Sequence, residues 1–157
     1  MQYRMKTHQL SPNKINELLT KSLTGTLSTI HPDGSPYGVP VHFVYWNDAI
    51  YFHGLPTGQK LDNLKENPYV CFTVYEMDGF LLDPEGKPCD TNTAYTSVIV
   101  QGIAQMISEP AEKQSVLDAI IRKYTPQLSE KEIPSNMLNG TAVVKISITE
   151  ITGKYYQ

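Results

Sequence analysis

The ten residues YGVPVHFVYW, Tyr37–Trp46, constrain the fold more than any other stretch of the chain. Tyr37, Val39, Val41, Phe43 and Tyr45 alternate with Gly38, Pro40, His42, Val44 and Trp46, the period of two that marks a strand with two different faces. Pro40 interrupts that pattern chemically. Proline has no N–H to give a ladder, so it marks a strand edge or bulge, and something other than a neighbouring strand is expected to face the backbone there. Asn47-Asp48 then turns the chain into Ile50–His53, a second short strand that completes a hairpin.

The flanking segments supply further strands and some helices. Ser11-Pro12 reads as an N-cap followed by proline at the first helical position, and Ile15, Leu18 and Leu19 give an apolar stripe, so a helix is expected over 12–22. Gly25–Ile30 reads as a strand, closed by the turn formers of HPDGSP, 31–36. A short helix is expected over Gly58–Glu66, stopped by Asn67-Pro68, and then a strand over Tyr69–Tyr75 with Val70, Phe72 and Val74 inward. Residues 77–91, with Gly79, Pro84, Gly86 and Pro88, read as a long loop. Strand character resumes over Thr93–Ile107 with a bend or bulge at Gly102, a helix follows over Pro110–Tyr124, and a last strand is expected over Thr141–Ile151. This order predicts a mainly β fold with flanking helices (α+β), a closed or half-closed antiparallel barrel. No repeat or second domain is evident, so one domain over 1–157 is expected, with 1–22 an N-terminal helical segment.

Composition narrows the function. A chain of 157 residues can bury roughly two thirds of its unfolded surface without disulfide or metal. A formal charge of −3 lacks the basic excess of a nucleic-acid binder. Cys71 and Cys89 are not in CxxC spacing, and His8, His31, His42 and His53 form no HExxH, so no metal site is expected. No stretch approaches the ~20 apolar residues that span a bilayer, and the first ten residues do not read as a signal peptide. A cytoplasmic protein with free thiols is the expectation.

The stretch IYFHGLPTGQKLDNLKENP, 50–68, carries the most chemistry. Thr57 can cap the helix there, and Gly58 lets a ligand approach the backbone. The first N–H groups point outward with the positive end of the helix dipole, and Lys60 adds a full charge beside the donors of Gln59 and Asn63. That is a phosphate site, or simply a capped helix. His53 ends the strand before it and His42 lies in the strand that pairs with it; either can serve a bound polar ring or a structural hydrogen bond. Ser97 can bond a ligand or the backbone. No serine stands in a GxSxG context and no Cys–His nucleophile setting occurs, so hydrolase chemistry has no support.

The run GTLSTIHPDGSPYGVPVHFVYWNDAIYFHGLPTGQKLDNLKENPYVCFTV, with AYTSVIVQGIA at 94–104 and ITGKYY at 151–156, resembles the pyridoxamine 5′-phosphate oxidase-like flavoproteins, and among them the 5-nitroimidazole resistance branch. The resemblance runs from about Gly25 to the C-terminus. It implies an FMN-binding split β-barrel, a homodimer with flavin between subunits, and electron transfer from reduced flavin to a small planar acceptor such as a nitroaromatic. Carried over by motif, Pro40, Val41, His42 and Phe43 would line the flavin ring, and Phe52, His53 and Gly54 would flank the ring and ribityl chain. Lys60, Leu61 and Asn63 would belong to the phosphate segment, with Ser97 and Val98 approaching from a later strand. His53 would stand nearest the acceptor as the catalytic hydrogen-bond or proton donor. Gln59 stands where the family often has arginine, which implies a weaker phosphate grip. The basic residues of a strict pyridoxamine-phosphate site are not evident. The resemblance leaves two alternatives open: an FMN storage or sensor protein without turnover, and a relative that binds haem or deazaflavin.

Overall fold

A computed structural model describes residues 6–157. The strands are β1 (Thr24–Ile30), β2 (Pro36–Trp46), β3 (Ala49–Gly54), β4 (Tyr69–Leu81), β5 (Asn92–Met106) and β6 (Ala142–Tyr156). The helices are α1 (Pro12–Lys21), α2 (Gln59–Glu66), α3 (Pro110–Tyr124) and α4 (Ser135–Gly140). The strands close into an antiparallel barrel in the order β1-β2-β3-β6-β5-β4, with β4 returning to β1 through Cys71–Thr73. Closure removes most of the unpaired edge that an open sheet would expose. This is the split-barrel architecture, and β1 to β6 match the six strands expected from the sequence.

Local chemistry explains most element ends. Ser11 caps α1, its hydroxyl accepting from the Lys14 N–H at 3.4 Å, and Pro12 occupies the first turn. The β2–β3 turn places Asn47 and Asp48 at φ 49° and 54°, a left-handed pair that asparagine and aspartate tolerate better than most residues. Two expected boundaries need correction. Residues 77–91 are not all loop, because β4 continues to Leu81 and pairs with β5 down to Asn92. Gly79, at φ +125°, lies where the register shifts, so a bulge at Asp78 absorbs one residue and the ladder resumes. The last strand runs past Ile151 to Tyr156, since β5 offers it a partner throughout. Gly153 does not end it; a Cβ there would come within 2.8 Å of Ile15, so the glycine serves the close approach of α1.

The barrel interior is filled by Leu27, Phe43, Phe52, Phe72, Val98 and Ile146, and α1 adds Ile15, Leu18 and Leu19 to the same cluster. Val70, Phe72 and Val74 point inward as the alternation predicted. On the outside, α3 lays Val116, Leu117 and Ile120 over Val44, Tyr51 and Val143. The expected bulge at Gly102 is present as a register shift at Gln101/Gly102. Residues 1–5 of the expected N-terminal segment lie outside the described residues. No helix among the described residues is long and apolar enough to cross a membrane.

Candidate functional site

The barrel opens along β2. From Pro36 to His42 the strand pairs with β1, but its ladder with β3 begins only at Phe43 and runs to Trp46. At the switch point Tyr124 replaces a strand: its hydroxyl accepts from the Phe43 N–H at 2.8 Å and lies 2.8 Å from the Phe43 carbonyl and 2.7 Å from that of Leu23, to which its one proton is shared. The Phe43 N–H and C=O therefore face the β1 side. Because backbone groups alternate along a strand, those of Gly38, Pro40 and His42 face the opposite, unladdered edge. Pro40 thus stands where a missing N–H costs nothing, as the sequence required.

β3 diverges from that edge. His53 and Gly54 pair with Val143 and Ala142 of β6 and not with β2. The chain then enters α2 through Gly58, whose φ of 131° and ψ of 162° suit glycine. Thr57, expected to cap, does not: Gly58 is the N-cap, no side chain caps the helix, and the Gly58 carbonyl accepts from Leu61 and Asp62 at 2.9 and 3.1 Å. The glycine conformation moves the helix start one residue on and leaves the first N–H groups pointing outward. Lys60 folds back toward β3, its amine 3.5 Å from where a Cβ on Gly54 would sit. Asn63 is fully buried, accepting from Gln59 at 2.8 Å and donating to the Thr29 hydroxyl at 2.9 Å, so it anchors α2 to β1.

His42, His53 and Lys60 therefore share one opening with an unpaired strand edge and an uncapped helix start. Burial, then the neighbouring charges of His42 and Lys60, push the His53 imidazole below the usual histidine range. It is neutral at pH 7 and offers an N–H without a charge. Phe43, Phe52, Leu61 and Val98 direct their side chains into the core, so only their backbones can meet a ligand.

Ser97 and Val98 lie elsewhere. Ser97 pairs with Lys154 of β6, eleven residues along that strand from the Val143 that pairs with His53. That is on the order of 35 Å of strand contour. Ser97 instead lines a cavity of about 650 Å³ walled by Ile15, Ile99, Ile148 and Ile151, with Tyr45 and Lys154 among its polar groups. One chain therefore gathers Pro40–Phe43, Phe52–Gly54 and Lys60–Asn63 but sets Ser97 and Val98 apart. No local pattern points to Tyr124, whose role depends on a contact 81 positions away.

The sequence profile of the pyridoxamine 5′-phosphate oxidase family matches residues 11–155. The chain belongs to this family. Among solved structures, a candidate 5-nitroimidazole antibiotic resistance protein from Bacteroides thetaiotaomicron is 27% identical, with 94% of this chain and 86% of that one covered and a TM-score of 0.77. The flavocytochrome Anf3 from Azotobacter vinelandii (21% identity, 100% and 72% covered, TM-score 0.86) shares the fold, as does the FAD and heme binding protein from Mycobacterium smegmatis (21%, 96% and 74%, 0.86). No curated protein matches the chain significantly.

Beside the opening, this family member carries a cation that the sequence did not single out. The Lys123 amine is buried with no hydrogen-bond partner among the described residues, 4.3 Å from the centre of the Phe43 ring, and burial pushes its pKa down to about 8. Between about pH 8 and 10 the unfolded chain holds more protons than the folded one at this position, so stability should rise with pH across that window. Solvent screening at this half-exposed residue keeps the rise smaller than the full shift implies. Lys123→Met should flatten it and raise the melting temperature at pH 7, since a thioether of similar length needs no partner. Thermal melts from pH 7 to 10 on both proteins check this; an unchanged slope in the variant would refute it.

Proposed function

We propose that the chain binds FMN and works as a homodimeric oxidoreductase, passing electrons from the reduced flavin to a small planar acceptor such as a nitroaromatic. The observation that carries the reading is the unladdered edge of β2 opposite the uncapped start of α2 with Lys60 beside it. That opening suits a flavin mononucleotide. Free backbone groups at Pro40 and His42 match the polar edge of a planar ring, Gly54 leaves room for a chain to pass, and the helix start with Lys60 matches a terminal phosphate. FMN, when bound, supplies the redox chemistry, and the protein supplies binding, orientation and exclusion of water.

The arrangement of the remaining residues supports a dimer. Ser97 and Lys154 are too far from His53 to reach the same cofactor within one chain, yet they line a cavity of a size that holds a small molecule. The strand of Ser97 and its neighbour β4 also carry exposed Ile99, Ile103, Tyr69 and Tyr75 on one outer face. A two-fold pair would bury that face and bring the cavity of one copy to the opening of the other. The 27% identical relative with the nitroimidazole-resistance description favours the nitroaromatic class of acceptor.

His53 acts here as a neutral hydrogen-bond donor toward the acceptor. His53→Ala should leave FMN bound and slow acceptor reduction about tenfold, the worth of one hydrogen bond. Loss of FMN from that variant would move His53 into the binding shell. The whole reading is tested by the absorption spectrum of the purified protein and by stopped-flow mixing with NADH and NADPH. Flavin bands and fast bleaching support it. Flavin that neither nucleotide reduces points to a storage or sensor protein, haem or deazaflavin bands point to a different cofactor, and a colourless protein that fails to take up added FMN refutes it.

A further inference from the structure

Past Glu76 and Tyr95 the β4–β5 hairpin leaves the barrel as an arm, residues 77–94, whose ladder among the described residues runs between its own two strands down to Leu81 and Asn92. Where the arm meets the barrel, Glu76 accepts from the Ser22 hydroxyl at 2.7 Å and pairs with Lys21 at 2.9 Å, and Tyr95 pairs with Tyr156 of β6. The arm is apolar where a free hairpin should be polar: Met77, Phe80 and Leu82 are 52%, 65% and 76% exposed. The bulge at Asp78 decides which way they face. It pairs Phe80 with Thr93 and Met77 with Tyr95, and since cross-strand partners share a face, Phe80 stays on the side of Tyr75 and Ile99; in an unbulged strand it would have the parity of Asp78. Gly79 is the residue that permits this, at a φ of +125°. An exposed apolar strip aligned by a bulge is a contact surface.

We infer that the arm of one copy closes over the opening of its partner, with Phe80 and Leu82 covering the partner's exposed segment around Leu55. This rests on the homodimer reading above. Continuity selects the occupant: the arm prolongs the outer face that carries Ile99 and the Ser97 cavity, which that reading sets against the partner's opening. From Tyr75 to Leu81 the arm projects on the order of 20 Å further, enough to pass across a cofactor-sized cleft. Leu55, 75% exposed between Gly54 and Pro56, is an apolar landing point at its rim. The arm cannot serve its own opening, which lies at the far end of β6.

The test uses the full chain with Phe80→Ser and Leu82→Ser combined. Both side chains are exposed, so the isolated fold should melt unchanged. The wild type should be a dimer that binds FMN; the variant should bind FMN roughly tenfold more weakly, through faster release, and its reduced flavin should be oxidised faster by oxygen as the cover is lost. Mixing that variant with a Lys60→Glu chain, whose opening is disabled but whose arm is intact, should restore one tight FMN site per mixed dimer. A monomeric or flavin-free wild type would overturn the dimer reading and the arm with it. A dimeric, flavin-loaded wild type whose arm variant binds FMN equally well, or mixed dimers that restore no site, would overturn the arm alone.

Discussion

Lys60→Ala should weaken the proposed FMN binding by roughly 30-fold and leave the melting temperature of the cofactor-free protein unchanged. The first part follows from the opening's inventory of charge. Lys60 is the cation at the helix start itself: His53 is held neutral at pH 7, the position before Lys60 is a glutamine, and the Lys123 amine is turned against the Phe43 ring. A charge-assisted hydrogen bond to phosphate contributes about 2 kcal/mol, which converts to that factor. The second part follows from what Lys60 does without ligand: its amine lies over Gly54 and belongs to no ion pair among the described residues. Titration of FMN fluorescence against both proteins checks it. An affinity within twofold of wild type would remove the phosphate from this helix start.

Phe72→Ala should cost about 3–5 kcal/mol of stability, a large share of the 5–15 kcal/mol that holds a domain folded. Phe72 has no exposed surface and packs edge-on against Phe43, ring centres 4.9 Å apart. Its ring also lies against Gly25, where an added Cβ would clash with it. Neighbouring strands cannot close the gap, because the ladders of β4 with β1 and β5 fix their spacing. The urea midpoint should fall with an unchanged slope, and FMN affinity of the folded fraction should hold, since Phe72 lies outside the opening. A loss below about 1 kcal/mol would mean that the core repacks and that the Phe43–Phe72–Gly25 contact is not the barrel's pivot.

Much of this was legible from local patterns. The alternation in Tyr37–Trp46 and Tyr69–Tyr75 chose the inward faces, Ser11-Pro12 and Pro110 placed two helix starts, and Pro40 marked the free edge. Gly79 counts toward a loop in the sequence but holds a bulge, and the last strand, expected to end at Ile151, runs on past Gly153, which admits α1. Thr57 looked like a cap until the conformation of Gly58 took over that role.

Local patterns were enough for the six strands, the helices α1, α2 and α3, the edge at Pro40 and the cationic helix start at Lys60, but not for α4, because each of the former depends on residues within a few positions of one another. Only closure of the barrel sets Ser97 eleven residues along β6 from the level of His53, puts Tyr124 in place of a missing strand at Phe43, and buries the Lys123 amine with no hydrogen-bond partner among the described residues. Those facts depend on which strands become neighbours when the barrel closes, and strand pairing across a hundred residues leaves no local periodicity to read.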